Sequence, residues 1–141
     1  MEALKEFFKH DQYARHAGIE LISIEPGHAI AQMPVRAHHL NAIGSVQGGA
    51  LFTLADFAFA AASNSRGNVA VAINVNITFM KAVTTGLLQA EAREVAQNPK
   101  LGSYTVNITD EHHDLVAVFQ GLAYRKSQTV ADAIAGAAKR G

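Results

Sequence analysis

One acidic residue interrupts the most apolar segment of the chain. Asp56 lies within the stretch ALFTLADFAFAAAS, which is rich in helix-forming Ala and Leu and is apolar around nearly its whole circumference. Taking an ionised carboxylate out of water is costly unless partners compensate for it, so a purely structural helix rarely keeps one there. A bond from Asp56 to a neighbouring group is the competing interpretation, and Asp56 alone does not decide between the two.

Two glycines, Gly48 and Gly49, stand where this helix begins. The first backbone N–H groups of a helix have no partner within it and carry the positive end of its dipole. Glycine also lets a ligand approach the backbone closely. A plain turn into a helix is the alternative for the glycines by themselves, but together with Asp56 they predict an acyl-transfer site.

The spacing of these groups predicts an assembly. Asp56 follows Gly48 by eight residues, which is roughly 12 Å along a helix. One small carbonyl group cannot contact both. If Gly48 binds the carbonyl oxygen and Asp56 delivers the nucleophile, the two groups come from different copies of the helix, antiparallel across a two-fold axis, and the protein is an obligate symmetric dimer.

The rest of the chain predicts the elements that position this helix. Apolar spacing near three and four predicts an amphipathic helix over about 2–16, and alternation predicts a hairpin of strands at 19–25 and 28–35. An irregular connection follows at 36–46. Four further strands are expected at 69–81, 87–97, 101–109 and 115–125. The Ala-rich residues at about 127–141 are expected to form a loose tail, with a frayed helix as the alternative. An antiparallel sheet of about six strands with one long apolar helix to cover must curl around it, which is an α+β arrangement.

Composition bounds the function. The 141 residues, 49% of them hydrophobic, fit a single domain over 1–141, and 12 basic residues balance 12 acidic ones, so we expect neither nucleic acid nor a membrane surface as partner. The absence of cysteine excludes a disulfide framework and a thiol nucleophile and is compatible with a reducing compartment. The N-terminus lacks the pattern of a secretion signal, so we expect a cytoplasmic protein. The adjacent pairs His38-His39 and His112-His113 are interpreted as surface residues, and no metal site is expected.

The segment Asn41 to Asn64, NAIGSVQGGALFTLADFAFAAASN, resembles the phenylacetic-acid-degradation (PaaI-like) branch of hotdog-fold acyl-CoA thioesterases. The match includes an Asn six residues before the His of a His-Gly-Gly motif and an Asp eight residues after its first Gly. The segments ITFMK and GLAYRK, which end at Lys81 and Lys126, also look like this branch. The resemblance covers roughly 19–126.

The resemblance implies a hotdog fold and hydrolysis of acyl-CoA thioesters, with coenzyme A as part of the substrate and no separate cofactor. Carried over by position, the Gly48 N–H binds the thioester carbonyl, Asp56 of the neighbouring subunit acts as general base or nucleophile, and Asn41 orients the water or the carbonyl. The assembly implied is a homodimer or a homotetramer. Aryl acyl groups such as phenylacetyl are suggested by this likeness alone.

Further substrate contacts also follow from the resemblance. Gln47 and Gly49 would line the thioester, Lys81 and Lys100 would face the coenzyme A phosphates, and Asn74 is a candidate helper on the first long strand. The family usually has His where this chain has Gln47. Because the oxyanion contact comes from a backbone N–H, this change should leave the main electrostatic stabilisation in place.

Two other functions stay open at this point. A hotdog hydratase usually pairs an acid with a His at the site, and Gln47 disfavours that chemistry. A non-catalytic module that binds acyl-CoA normally lacks the acid, whereas this chain retains Asp56. The α/β-hydrolase type of thioesterase is excluded, because no Gly-x-Ser-x-Gly motif occurs.

Overall fold

A computed structural model describes residues 1–140. The helices are α1 (Glu2–Phe8), α2 (Gln12–His16), α3 (Gly48–Asn64) and α4 (Val130–Arg140), and a short 3-10 turn spans Ala37–His39. The strands are β1 (Glu20–Glu25), β2 (His28–Pro34), β3 (Asn68–Phe79), β4 (Leu87–Gln97), β5 (Leu101–Thr109) and β6 (Leu115–Thr129).

The six strands form one antiparallel sheet in the order β1-β2-β4-β5-β6-β3. Along β4 and β5 buried and less buried residues alternate, so one face of each strand turns inward. Helix α3 lies against that inner face and contacts every strand of the sheet. The predicted α+β arrangement, a curved sheet around one long apolar helix, is confirmed.

Small side chains let the helix and the sheet approach closely. Ala58 and Ala62 of α3 are fully buried, as are Ala90 and Ala92 of β4. A Cβ atom on Gly121 of β6 would lie 2.8 Å from a ring carbon of Phe59, so only glycine fits there. The ring of Phe59 in turn packs edge-on against Tyr104, with the centroids 5.5 Å apart. These contacts hold α3 in one orientation against the sheet.

The single N-terminal helix expected over 2–16 is wrong. Two short helices replace it, because Asp11 takes an extended conformation and its side chain accepts a hydrogen bond from the Ala14 N–H at 3.0 Å. Asp favours such a cap over a helix interior. The break lets Phe8 and Ala14 both reach the core.

The loose tail expected at about 127–141 is also not what the described residues form. Strand β6 continues to Thr129, where it pairs with Asn68 of β3, and α4 follows directly. Val130 is buried and Ile134 packs against the core, so the helix has an apolar side that anchors it. Within residues 1–140 no helix is long and apolar enough to cross a membrane.

Strand β3 is one edge of the sheet and carries no charged residue. A bulge between Ala72 and Asn74 shifts its register against β6. Its exposed apolar residues include Ile73, which is 56% exposed, and Phe79, which is 53% exposed. A long, uncharged, apolar edge is a template for pairing with another strand.

Candidate active site

The N-terminus of α3 presents a single uncommitted backbone donor. Gln47 is the N-cap, and its Oε1 accepts the Gly49 N–H at 2.8 Å. The N–H groups of Ala50 and Leu51 both donate to the Gln47 carbonyl. Among residues 1–140, no protein group accepts from the Gly48 N–H. The arrangement therefore leaves Gly48, at the positive end of the helix dipole, to bind an oxyanion.

The ring of Phe79 covers one side of this donor. A Cβ atom on Gly48 would lie 3.0 Å from the Phe79 Cζ, a contact tighter than side chains normally make. Any side chain at position 48 would thus have to push this ring aside by a few tenths of an ångström. Sequence reasoning named the segment that contains Phe79 but gave this side chain no role, because the contact joins two distant parts of the chain.

The loop before the helix is organised by Asn41. Its Oδ1 accepts hydrogen bonds from the backbone N–H groups of Ile43 and Ser45, each at 3.1 Å, and its own N–H donates to the Ser45 carbonyl at 2.7 Å. The side-chain oxygen is therefore occupied within the loop. What Asn41 can still offer to a ligand is the Nδ2 group, which is a donor.

A buried histidine, His39, holds the backbone that leads into Gln47. The interpretation of His39 as a surface residue is wrong, because it is 4% exposed. Its Nδ1 accepts the Arg36 N–H at 2.9 Å, its Nε2–H donates to the Ala17 carbonyl at 2.7 Å, and its carbonyl accepts the Gln47 N–H at 2.8 Å. These partners require the neutral ring with the proton on Nε2. His112 and His113 are exposed, as predicted.

Asp56 lies on the one face of α3 that the sheet leaves uncovered. That face carries residues at helical spacing that are not fully buried: Gly49, Thr53, Asp56, Ala60 and Asn64. Burial raises the pKa of the Asp56 carboxyl above its ordinary value, and the negative charge of Asp11 raises this pKa further. The helix is therefore not enclosed all round by its own chain, and the acid lies at the opening.

Asn64 at the end of the motif has a structural task. Its Nδ2 donates to the Ala60 carbonyl at 2.8 Å and to the Ala70 carbonyl at 3.2 Å, and its Oδ1 accepts the Ala70 N–H at 3.0 Å. The side chain thus ties the start of β3 to the end of α3. These hydrogen bonds fix β3, the edge strand, relative to the face of α3 that carries Asp56.

Lys81 is neutralised by two carboxylates. Its ammonium nitrogen lies 2.5 Å from Asp110 and 2.7 Å from Asp114. The hydrogen bond from Lys81 lowers the pKa of Asp110 to about 2, helped by backbone N–H groups of the turn that the same carboxyl accepts. A cation already paired with two acids is a poor phosphate ligand, so the structure disfavours the expected role of Lys81.

The remaining expected contacts are spread over the protomer. The ammonium of Lys100 lies 5.9 Å from the ring centroid of Tyr124 and has no carboxylate partner within residues 1–140. Asn74 is exposed on the β3 edge, opposite Leu122. The protomer therefore brings Gln47, Gly48 and Gly49 together at the tip of α3, while Asn74 lies on β3 and Lys100 lies in the turn between β4 and β5.

Comparison with known proteins identifies the family. The thioesterase superfamily model matches residues 43–117, from the Asn41 loop to β6. Over 87% of this chain and 89% of the relative, the sequence is 38% identical to acyl-coenzyme A thioesterase PaaI of Escherichia coli. Human acyl-coenzyme A thioesterase 13 is 32% identical over 78% of this chain and 81% of its own.

Solved structures agree with the sequence comparison. The E. coli PaaI protein from the phenylacetic acid degradation operon superposes with a TM-score of 0.87 at 36% identity, covering 91% of this chain and 94% of that one. The curved sheet around α3 is thus the hotdog fold that the resemblance implied. The chain belongs to the thioesterase superfamily, in its PaaI-like hotdog branch.

Proposed function

We propose that the protein hydrolyses acyl-CoA thioesters to the free acid and coenzyme A. The observation that carries this proposal is the pairing of functions on α3, which offers an uncommitted Gly48 N–H at its tip and a half-buried Asp56 with a raised pKa on its open face. Relatives over most of the chain are acyl-CoA thioesterases. An acyl-CoA-binding module without activity would not need the acid.

The proposed chemistry uses these groups in one addition and one elimination. The thioester carbonyl oxygen accepts the Gly48 N–H, and Asn41 Nδ2 is the second donor, since its oxygen is occupied within the loop. Asp56 takes a proton from water, and the water oxygen bonds to the carbonyl carbon. The tetrahedral intermediate collapses with cleavage of the C–S bond, and the thiolate of coenzyme A leaves and takes up a proton.

We assign Asp56 the role of general base. The raised pKa makes the Asp56 carboxylate a stronger base than an exposed one, because its pKa lies closer to the working pH. A nucleophilic carboxylate would instead form an anhydride with the acyl group, and a raised pKa does not require that step.

A second copy of the chain completes the site in this proposal. Gly48 and Asp56 are separated by roughly 12 Å along one helix, so Asp56 of the partner subunit serves the Gly48 of this one. Two features support such a dimer: the uncharged apolar edge of β3, and the adjacent face of α3 that the protomer leaves open. We propose a homodimer or a pair of dimers, working in the cytoplasm.

The first test replaces Asp56 by Asn. Release of free thiol from a panel of acyl-CoAs should fall by about a hundredfold or more, because a general base contributes on that order. Asp132→Asn, at an exposed carboxyl in the first turn of α4, is the matched control and should keep wild-type turnover. Wild-type turnover in Asp56→Asn would overturn the mechanism. Tight binding of acyl-CoA by the wild-type protein without release of thiol would favour the non-catalytic module.

Mixing two inactive variants tests the shared site. Co-expression of Asp56→Asn with Gly48→Pro, which lacks the N–H, should restore about one quarter of wild-type activity, because about half of randomly assorted dimers are mixed and each mixed dimer holds one intact site. A site built within one subunit predicts no recovery, and sedimentation of an active monomer would equally exclude the dimer.

A further inference from the structure

His39 joins two distant segments of the chain through its ring and its backbone. The ring bonds run in opposite directions: Nδ1 accepts the Arg36 N–H of the same turn at 2.9 Å, and Nε2–H donates at 2.7 Å to the carbonyl of Ala17, 22 residues earlier. Ala17 is the C-cap of α2. The His39 carbonyl accepts the Gln47 N–H at 2.8 Å. His39 therefore ties the end of α2 to the residue that caps α3.

The peptide group between Gln47 and Gly48 carries the proposed oxyanion donor. A trans peptide group is planar, so the Gly48 N–H points away from the Gln47 carbonyl. On the helix side, that carbonyl accepts the N–H groups of Ala50 and Leu51. On the loop side, Gln47 donates its own N–H to His39. The direction of the Gly48 N–H therefore depends on where His39 holds the chain before the helix.

The segment before α3 also has a second anchor. The Val46 N–H donates to the Val83 carbonyl at 2.8 Å, and Val46 pairs with Leu40 in an isolated antiparallel bridge. Loss of the His39 ring should therefore displace the peptide group before Gly48 without releasing the whole loop. A displaced donor still stabilises an oxyanion in part, so this loss should be smaller than the loss from deleting the N–H.

We propose that His39 is a positioning residue whose ring anchors the segment before α3 to the end of α2 and so directs the Gly48 N–H at the thioester carbonyl. This inference rests on the proposed thioesterase function and adds a residue that acts through Gly48. A neutral imidazole offers both the acceptor and the donor that this place needs on one rigid ring. In His39→Gln a donor can still reach Ala17, and in His39→Asn an acceptor can still reach Arg36.

The first measurement is kcat and KM of wild type, His39→Leu, His39→Gln and His39→Asn with acetyl-CoA, octanoyl-CoA and phenylacetyl-CoA, below the unfolding transition of each variant. His39→Leu should lower kcat by about tenfold at a nearly unchanged KM, because the donor acts mainly in the transition state. His39→Gln should stay within about threefold of wild type. His39→Asn should resemble His39→Leu, because the bond to Arg36 lies within one turn and leaves α2 unattached. His112→Leu, the same change at an exposed histidine, is the control and should keep wild-type kcat.

A double-mutant cycle separates positioning from a general effect on the structure. In a Gly48→Pro background the donor is already absent, so His39→Leu should change kcat by less than about threefold there, against about tenfold in the wild-type background. If His39→Leu does not fold, His39→Asn takes its place in the cycle. Equal losses in the two backgrounds would show that His39 does not act through Gly48 and would overturn the proposal.

Two other results have distinct meanings. Rescue by His39→Asn and not by His39→Gln would make Arg36 the decisive partner and would overturn the anchoring to α2. Failure of the proposed function looks different, because the wild-type protein itself would release no thiol from any of the three acyl-CoAs.

Discussion

Replacing Gly48 by proline deletes the proposed oxyanion donor while keeping a backbone conformation that suits the start of the helix. Gly48 is the first residue of α3, and proline is favoured at that position because its fixed φ suits the first turn and its missing N–H has no helical partner. Gln47, with a ψ of 140°, already has the extended conformation that a residue before proline needs. Within residues 1–140 the substitution removes no hydrogen bond, since the Gly48 N–H has no acceptor there.

The expected loss follows from the role of that single N–H. Removing one oxyanion donor typically lowers kcat by about 10² to 10³, or about 2.7–4 kcal/mol of transition-state stabilisation. The new ring atoms would also press on Phe79, because even a Cβ at this position lies 3.0 Å from its Cζ. Gly48→Ala introduces the same Cβ and keeps the N–H, so it carries the cost of moving the Phe79 ring without the cost of the lost donor.

The informative quantity is therefore the ratio of kcat between Gly48→Ala and Gly48→Pro at saturating acyl-CoA, measured by thiol release. We expect alanine to exceed proline by about a hundredfold or more. Thermal unfolding should give similar midpoints for the two variants, because both meet the same ring. If the two variants turn over within about threefold of each other while folded and dimeric, the Gly48 N–H does not stabilise the oxyanion.

Three further predictions concern charged residues in and around the site. Asp11→Asn keeps an N-cap for α2 and removes one of the two causes that raise the pKa of Asp56, so the acid limb of the pH profile of kcat/KM should move to lower pH; an unmoved limb would show that Asp56 does not titrate it. Lys81→Met should lower the free energy of unfolding at neutral pH, because the pKa of Asp110 is lowered from 3.8 to about 2 and the stability this provides is present above pH 3.8. The difference from wild type in denaturant unfolding should shrink as the pH falls from 3.8 toward 2. KM for acyl-CoA should rise in Lys100→Met and stay near wild type in Lys81→Met, and the opposite order would restore Lys81 as a phosphate ligand.

The parts of the fold that were predictable are those with a strong periodic pattern. Strands β4 and β5 begin and end where alternation and turn residues predicted, at 87–97 and 101–109. The N-terminal break was missed because apolar spacing continues across Asp11, whereas the cap it forms with Ala14 depends on local backbone geometry. Helix α4 was foreseen only as a frayed alternative to a loose tail, because its anchor, Val130, is buried only once β6 has extended to meet β3.

The residues of the candidate site also fall into those that local sequence predicts and those that it does not. The glycines, Asp56 and their spacing lie within one helix, so their relation could be worked out from helix geometry alone. His39, Lys81 and Phe79 depend on contacts between distant segments, such as the bond from Lys81 to Asp110 across 29 residues. No local pattern marks such pairs. For Phe79, the available signals were the apolar strand that ends in this large aromatic residue and the Gly-Gly pair at the start of α3.

In the proposed dimer, the pKa of Asp56 depends on both copies of the chain. In the protomer, burial and the charge of Asp11 raise the pKa of Asp56, so both effects disfavour the ionised form that a general base needs. In the proposed dimer, approach of the second subunit removes further water from Asp56 but also brings the positive end of the partner's α3 toward it, which favours the ionised form. The same helix tip then serves two purposes: its N–H polarises the carbonyl, and its dipole helps keep the general base deprotonated. A monomer would keep the burial and the Asp11 charge that raise the pKa of Asp56 but would lack the partner's helix dipole, which opposes them. For this reason dimer formation and catalysis should be inseparable.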